Sequence, residues 1–348
     1  MRALSGREGK RILAYSVMRV VACVAIVILH TTNVAEMLYK DTISVTQDAV
    51  SLIVVYCMMW AVPCFVMVTG SLLLDPAKEI GIGKIFRSYL LRAAGALVLF
   101  GLVFRIIDCL MNGEEFSALT IADAFLKIFT GKSWSHLWYL YVLIGLYLLL
   151  PLYRSLIKKA EETEIRYVLI VMVIFLSILP LTKCFDLNSK FDLPISGIYT
   201  LYFLLGVAIT RGTVRIPRIA AVLLFFLGLG ATIAVGVIRF RYGIDALDPL
   251  ISSYSSPFVV MQTVGIYSWI VGEAPGRGSN RLIEFLDENG FGIYLVHMIF
   301  LRLALRYFGI DPYTLGVWSF VLLVAGNLVL SCILTWMLRR IPGLKRVL

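Results

Sequence analysis

The stretch Arg19-Val-Val-Ala-Cys-Val-Ala-Ile-Val-Ile-Leu-His30 decides what kind of molecule this is. Ten consecutive apolar residues separate two ionisable ones, within a largely apolar segment that runs over 12–33. As a helix that segment reaches about 33 Å, enough for a hydrocarbon core of about 30 Å. An ionisable side chain inside such a span is costly and marks a functional position by default. Eleven steps of 100° bring His30 to about 20° past the direction of Arg19, so both lie on one stripe, about 16 Å apart along the axis. Arg19 is expected about a third of the way in from the cytoplasmic end and His30 near the outer end. The same placement also suits an arginine that snorkels inward and a histidine in the outer headgroup layer.

Working outward, nine more apolar segments follow, at roughly 50–74, 91–110, 137–153, 167–182, 197–210, 219–238, 255–272, 290–308 and 314–338. The 348 residues are 60% apolar and 16% charged, with a mean hydropathy of +0.89. Soluble domains run about 45–50% apolar and about 25% charged. The composition excludes a cytosolic enzyme, a secreted disulfide scaffold and a disordered regulator. The basic leader Arg2, Arg7, Lys10 and Arg11 resembles the start of a signal peptide, but no cleavage site follows the long apolar run, which reads as a retained span. With the N-terminus inside, the inside segments hold 20 Lys and Arg and the outside loops 7, the asymmetry expected of ten spans with both termini cytoplasmic. The expected fold is therefore all-α and polytopic, with about ten transmembrane helices. It forms a single transmembrane domain over 1–348 and has no separate soluble domain. The net charge of +10 records this topology; the basic residues form no stripe of the kind that binds nucleic acid.

The remaining polar groups narrow the chemistry. The chain has three histidines. His136 precedes Leu137-Trp138-Tyr139 at the outer start of the fourth span, at the expected depth of His30. His297 follows Tyr294 in Gly292-Ile293-Tyr294-Leu295-Val296, eight residues into the ninth span, at the expected depth of Arg19. Two polar layers result. An interfacial His136 and a satisfied core His297 fit the same positions. Lys84, Arg87 and Arg92 flank the start of the third span. They suit the phosphates of a nucleotide-containing donor, and equally ordinary inside charge. The six tryptophans suit interfacial anchoring. The six cysteines form no CxxC and read as small buried hydrophobes, without a metal site. No GxSxG elbow, P-loop, Rossmann glycine pattern or HExxH is present. Outside loop 111–136 carries Leu119, Ala122, Phe125, Leu126 and Phe129 at helical spacing, with Thr120 to Asp123 as a capping box. This describes a helix lying on the outer surface or packed on protein. Inside loop 273–289 reads as a turn around Gly272, Pro275, Gly276 and Gly278.

Arg19 and His30, with ten residues between them, resemble the R-x10-H signature in the first span of the acyltransferase-3 family, the integral membrane acyltransferases of surface-polysaccharide modification. Three further stretches are similar to that family. Ala61-Val-Pro63-Cys64-Phe65-Val-Met-Val-Thr69-Gly70 resembles its P-x-F-F-x-x-S-G stretch, with Cys64 and Thr69 as departures. Ser135-His136-Leu-Trp138-Tyr-Leu-Tyr141, with Pro151 after it, resembles its HLWYLY element. Gly292 to His297 resembles its GIYLxH element. The family's basic R-x-x-R after the second span has Lys84-x-x-Arg87 in its place, a further departure. With the last span followed only by a few residues to Leu348, the chain resembles the stand-alone members of the family. The resemblance implies transfer of an acyl group, most often acetyl, from cytoplasmic acyl-coenzyme A to a hydroxyl of a cell-surface glycan or its lipid-linked precursor. It implies no bound cofactor, and it places the protein in a bacterial plasma membrane among lipids. His30 and Arg19 are the expected catalytic pair. Lys84, Arg87, Arg92, His136, Trp138, Tyr294 and His297 are the expected substrate-binding residues. Export of a polysaccharide or small molecule by the same fold is the alternative.

Overall fold

A computed structural model describes residues 12–348 except 186, 188–190, 192, 194–196, 274 and 277. The basic leader and Lys190 lie outside the described residues. Among the described residues the structure is helical, with no strands. The main helices are α1 (Leu13–Tyr39), α2 (Val45–Leu73), α3 (Ile82–Asn112), α4 (Ala118–Phe129), α5 (Ser135–Leu148), α6 (Leu150–Lys159), α7 (Glu162–Phe185), α8 (Ile198–Thr210), α9 (Arg218–Tyr242), α10 (Pro257–Ile270), α11 (Arg281–Tyr307) and α12 (Val317–Leu338). Each of the ten apolar segments lies on one or more of these helices.

Seven of them, α1, α2, α3, α7, α9, α11 and α12, are long and apolar enough to cross a membrane. The segment expected as a fourth straight span is a bent pair: α5 and α6 meet at 54°. Pro151 supplies the cause, because its ring removes a backbone donor and crowds the preceding turn. The remaining two, α8 and α10, have 13 and 14 residues and reach only about 20 Å. Their sequence is apolar all round, which suits a helix enclosed by protein on every side. Every residue of α8 from Leu201 to Ile209 is buried, as are nearly all of α10 from Val259 to Ser268.

The chain forms two compact units. One comprises the residues up to 72 together with 160–290; the other comprises 73–159 and 291–348. In the first, α10 packs along α9, and α1 and α9 both pack on α2. The tightest seam is between α2 and α8. A Cβ on Gly70 would run into the Phe203 carbonyl oxygen, and one on Gly206 into that of Met67. Two glycines, each three residues from the carbonyl its partner approaches, thus bring backbone against backbone, as small residues do where helices pack without a hydrophobic drive. This gives the glycine of the Pro63–Gly70 stretch a packing reason.

In the second unit, α4 docks on α3 through Thr120, Ala124 and Ile128, with Ile128 over the bare Gly101. Its other side carries the exposed Leu119, Leu126 and Phe129. The helix is thus both packed on protein and apolar outward. It begins one turn earlier than expected: Ser117 is the cap, its N–H donating to Thr120 Oγ1 at 3.2 Å. Arg105 fastens the connection, with Nε 2.6 Å from Asp123 and Nη2 2.7 Å from Glu114.

Candidate active site

In the first unit, Ser16, Arg19 and Cys23 occupy one edge of α1 at i, i+3 and i+7, and they meet the first half of α11. Arg19 grips Asp287 as a fork: Nε donates to Oδ1 at 2.5 Å and Nη2 to Oδ2 at 2.6 Å. Ser16 Oγ donates to the same Oδ2 at 2.7 Å. One turn on, Cys23 Sγ lies 3.9 Å from the Gly290 carbonyl oxygen. The Asp287 side chain is 4% exposed and that of Arg19 28%. A carboxylate this deep needs a charged partner and a full set of donors, and the two-pronged guanidinium with one hydroxyl supplies both. Arg19 is therefore a braced group with a fixed guanidinium plane. His30 is half-buried on the same α1 stripe, three turns further along.

Asp287 was not legible as a site residue because 273–289 reads as a loop. The helix instead begins at Arg281, capped by Asn280, whose Oδ1 accepts from the Leu282 and Ile283 amides at 3.1 Å each. An asparagine just ahead of an apolar periodic run is the signal that points to this start. The same early start corrects the depth of His297. That residue is the seventeenth of its helix, about 24 Å beyond the first, and not the eighth.

In the second unit, His297 accordingly meets His136. Their rings are 5.5 Å apart and nearly perpendicular, at 78°. The two polar layers expected from counting do not hold for this pair. Both side chains are buried, His136 1% and His297 0% exposed. His136 Nε2 lies 3.2 Å from the Leu295 carbonyl oxygen, and His297 Nδ1 lies 2.7 Å from that of Tyr294. A carbonyl only accepts, so these two nitrogens carry the protons. In the neutral rings, His136 Nδ1 and His297 Nε2 are then the basic atoms. Tyr294 closes the group by donating its hydroxyl to the His136 carbonyl oxygen. Trp138 is half-buried, its ring edge-on to Tyr139 at 6.3 Å.

Trp134, expected as an interfacial anchor, is buried instead. Phe104 stacks on its ring at 4.2 Å, and the Arg302 guanidinium lies 3.8 Å from its centroid. Asp108 ties the arrangement together, accepting from Arg302 Nη1 at 2.7 Å and from Trp134 Nε1 at 2.9 Å. The aromatic wall beside His136 (Phe104 at 5.2 Å) is thus held by a charge pair that sequence reading did not single out.

Lys84 and Arg87 are exposed neighbours on a turn of α3, and Ile85–Leu90 is wound as a π-helix. Arg92 does not join them: its Nε donates to the Val347 carbonyl at 3.3 Å, its Nη2 to that of Leu348, and it lies 5.4 Å from the Phe291 ring centroid. Among the described residues no group of three or more His, Cys, Asp or Glu side chains is placed to hold a metal ion.

The family model described as an acyltransferase domain matches residues 12–336, nearly the whole chain. No curated protein and no solved structure is significantly similar to it. The matched region contains Arg19, Asp287, His30, the His136–Tyr294–His297 group, six of the seven long apolar helices and all but the last two residues of α12. The chain belongs to the acyltransferase-3 family and is a multi-pass membrane protein of acyltransferase type.

Proposed function

We propose that the protein moves an acyl group, acetyl in the first instance, from cytoplasmic acyl-coenzyme A to a hydroxyl of a cell-surface glycan or its lipid-linked precursor, in a bacterial plasma membrane. The observation that carries this reading is the α1 stripe, on which a braced Arg19 and a half-buried His30 lie on one face within an acyltransferase-3 chain. His30 accepts the proton of the attacking hydroxyl. The hydroxyl oxygen bonds to the thioester carbonyl carbon, the C–S bond breaks, and the coenzyme A thiolate leaves with the proton from the imidazolium. Arg19 stays protonated and cannot act as the base. Asp287 and Ser16 hold its guanidinium plane, which suits it to steadying the thioester oxygen as charge develops there. Lys84 and Arg87 are the exposed cations left for the donor's phosphates, since Arg92 is engaged within the protein.

The test follows label from acetyl-coenzyme A into glycan or glycolipid by the purified protein and by its His30→Ala variant at equal abundance. Transfer by the parent and loss to background in the variant is the expected result. Undiminished transfer by the variant overturns the role of His30. Glycan movement without any labelled product overturns the enzyme reading in favour of export.

A further inference from the structure

On the first unit, a groove of about 600 Å³ runs between α7 and α8. Its floor and walls are apolar: Leu169, Ile170, Val173, Ile174 and Ile178 from α7 and Leu205 from α8. Ile170, Ile174 and Ile178 form a stripe at i, i+4 and i+8, and all three are exposed. The stretch Ile174–Ile178 is π-helical, and the wider turn sets this part of α7 off from an ordinary helix surface. One end of the groove is different. There Arg166, Thr213 and Arg215 line it, at the end where the helices meet their basic connections.

The two arginines are set by the protein. Arg166 donates from Nε to the Thr213 carbonyl oxygen at 2.7 Å and from Nη2 to Glu162 at 2.9 Å. Arg215 donates from Nε to the Gly212 carbonyl oxygen at 3.1 Å, and its Nη2 lies 3.6 Å from Glu273. Glu162 and Glu273 offset part of the charge. Arg218 in the same connection adds a further basic group.

We infer that this groove is a binding site for one anionic phospholipid of the membrane leaflet that faces the basic loops. An acyl chain lies along the Ile170–Ile174–Ile178 stripe, and the phosphate is met by Arg166 and Arg215. The pairing of a long apolar trough with cations at a single end matches an amphiphile with one acidic head. A zwitterionic head brings its own ammonium to the arginines and gains less there than an acidic one, and a soluble anion would have no use for the trough. The site lies on the first unit and does not involve Arg19 or His30. It stands independently of the proposed reaction.

The test uses the full-length protein in a neutral detergent. Thermal unfolding and native mass spectrometry are compared after addition of phosphatidylglycerol, phosphatidylcholine or a polyprenyl phosphate. Three proteins are measured: the parent, Arg215→Glu at the mouth and Ile170→Trp in the trough. Arg215 is largely exposed, so its variant folds; the tryptophan at Ile170 fills space that lipid otherwise takes. Phosphatidylglycerol is expected to raise the unfolding midpoint of the parent by several degrees and to persist as a one-to-one adduct. Phosphatidylcholine is expected to do neither, and both variants to lose most of the shift. Equal effects of the two phospholipids, or full retention of the shift in both variants, overturns the assignment. Displacement of phosphatidylglycerol by an equimolar polyprenyl phosphate overturns the choice of occupant and gives the groove to a lipid-linked carrier.

Discussion

The two polar groups of this membrane protein meet the same difficulty in opposite ways. In the first unit, Arg19 and Asp287 keep their charges and cancel them through a two-pronged contact that Ser16 completes. In the second, His136 and His297 each give one ring proton to a backbone carbonyl. Charge in an apolar surrounding demands a partner of opposite sign close by, usually from far along the chain; these two residues are 268 positions apart. An imidazole that donates one proton demands only an acceptor: His297 finds it in its own preceding turn and His136 in a carbonyl of α11. The first arrangement is strong and brittle. The second is modest and leaves a basic nitrogen on each ring.

Breaking the charged group has the largest expected effect. Asp287→Ala leaves Arg19 without its partner, at a cost of about 3 kcal/mol. The unfolding midpoint in detergent should fall sharply and acyl transfer should vanish. The double change Arg19→Met with Asp287→Leu sharpens the contrast: it should recover most of the stability and none of the transfer. A midpoint unaffected by Asp287→Ala would show that the contact does not hold the helices.

The neutral group should yield less. Tyr294→Phe removes one hydroxyl donor from the His136 carbonyl and should cost about 1 kcal/mol, read from the same midpoint. A loss as large as that of Asp287→Ala would overturn the ranking of the two groups.

The smallest effect belongs to a third, exposed version of the arginine–carboxylate contact, at the root of α4. The Asn112 amide and Arg105 hold the Glu114 carboxyl below its ordinary range; Lys127 and then Arg105 do the same for Asp123. Groups shifted this way stabilise fully above their unfolded values of about 4, and that support is lost as pH falls through the lowered folded values. Amide protection in α4, corrected for the intrinsic pH dependence of exchange, should be unchanged from pH 8 to 5 and fall only in stronger acid. Because these carboxylates face water, the change is modest and weakens with salt. Loosening already between pH 6 and 5 would contradict the assignment.

Much of this was legible in the residues. Hydropathy located ten apolar segments that all prove helical, and the 100° arithmetic put Arg19 and His30 on one stripe of α1. What escaped has definite causes. Mean hydropathy does not distinguish a helix that faces lipid from one enclosed by other helices, so α8 and α10 read as spans although they reach only about 20 Å. A loop reading over 273–289 hid the beginning of α11 and with it Asp287, and it misplaced His297 by nine residues along the helix. Trp134 read as an anchor because nothing local announces the distant Asp108 and Arg302 that bury it. Glu36 went unread because α1 runs to Tyr39, past the apolar segment, and carries that carboxylate inward to pair with Lys40 at 3.4 Å.

The crossing at Gly70 and Gly206 bears on motion. Where two backbones touch with no side chain between them, neither helix can roll or slip by one residue without driving a Cβ into a carbonyl. The α2–α8 seam therefore behaves as a rivet and cannot serve as a hinge. A carrier that rocks its helices to open alternately on two sides would have to move along some other boundary. For a catalyst, the rivet is an advantage: it is an immobile frame for whatever its neighbouring helices hold.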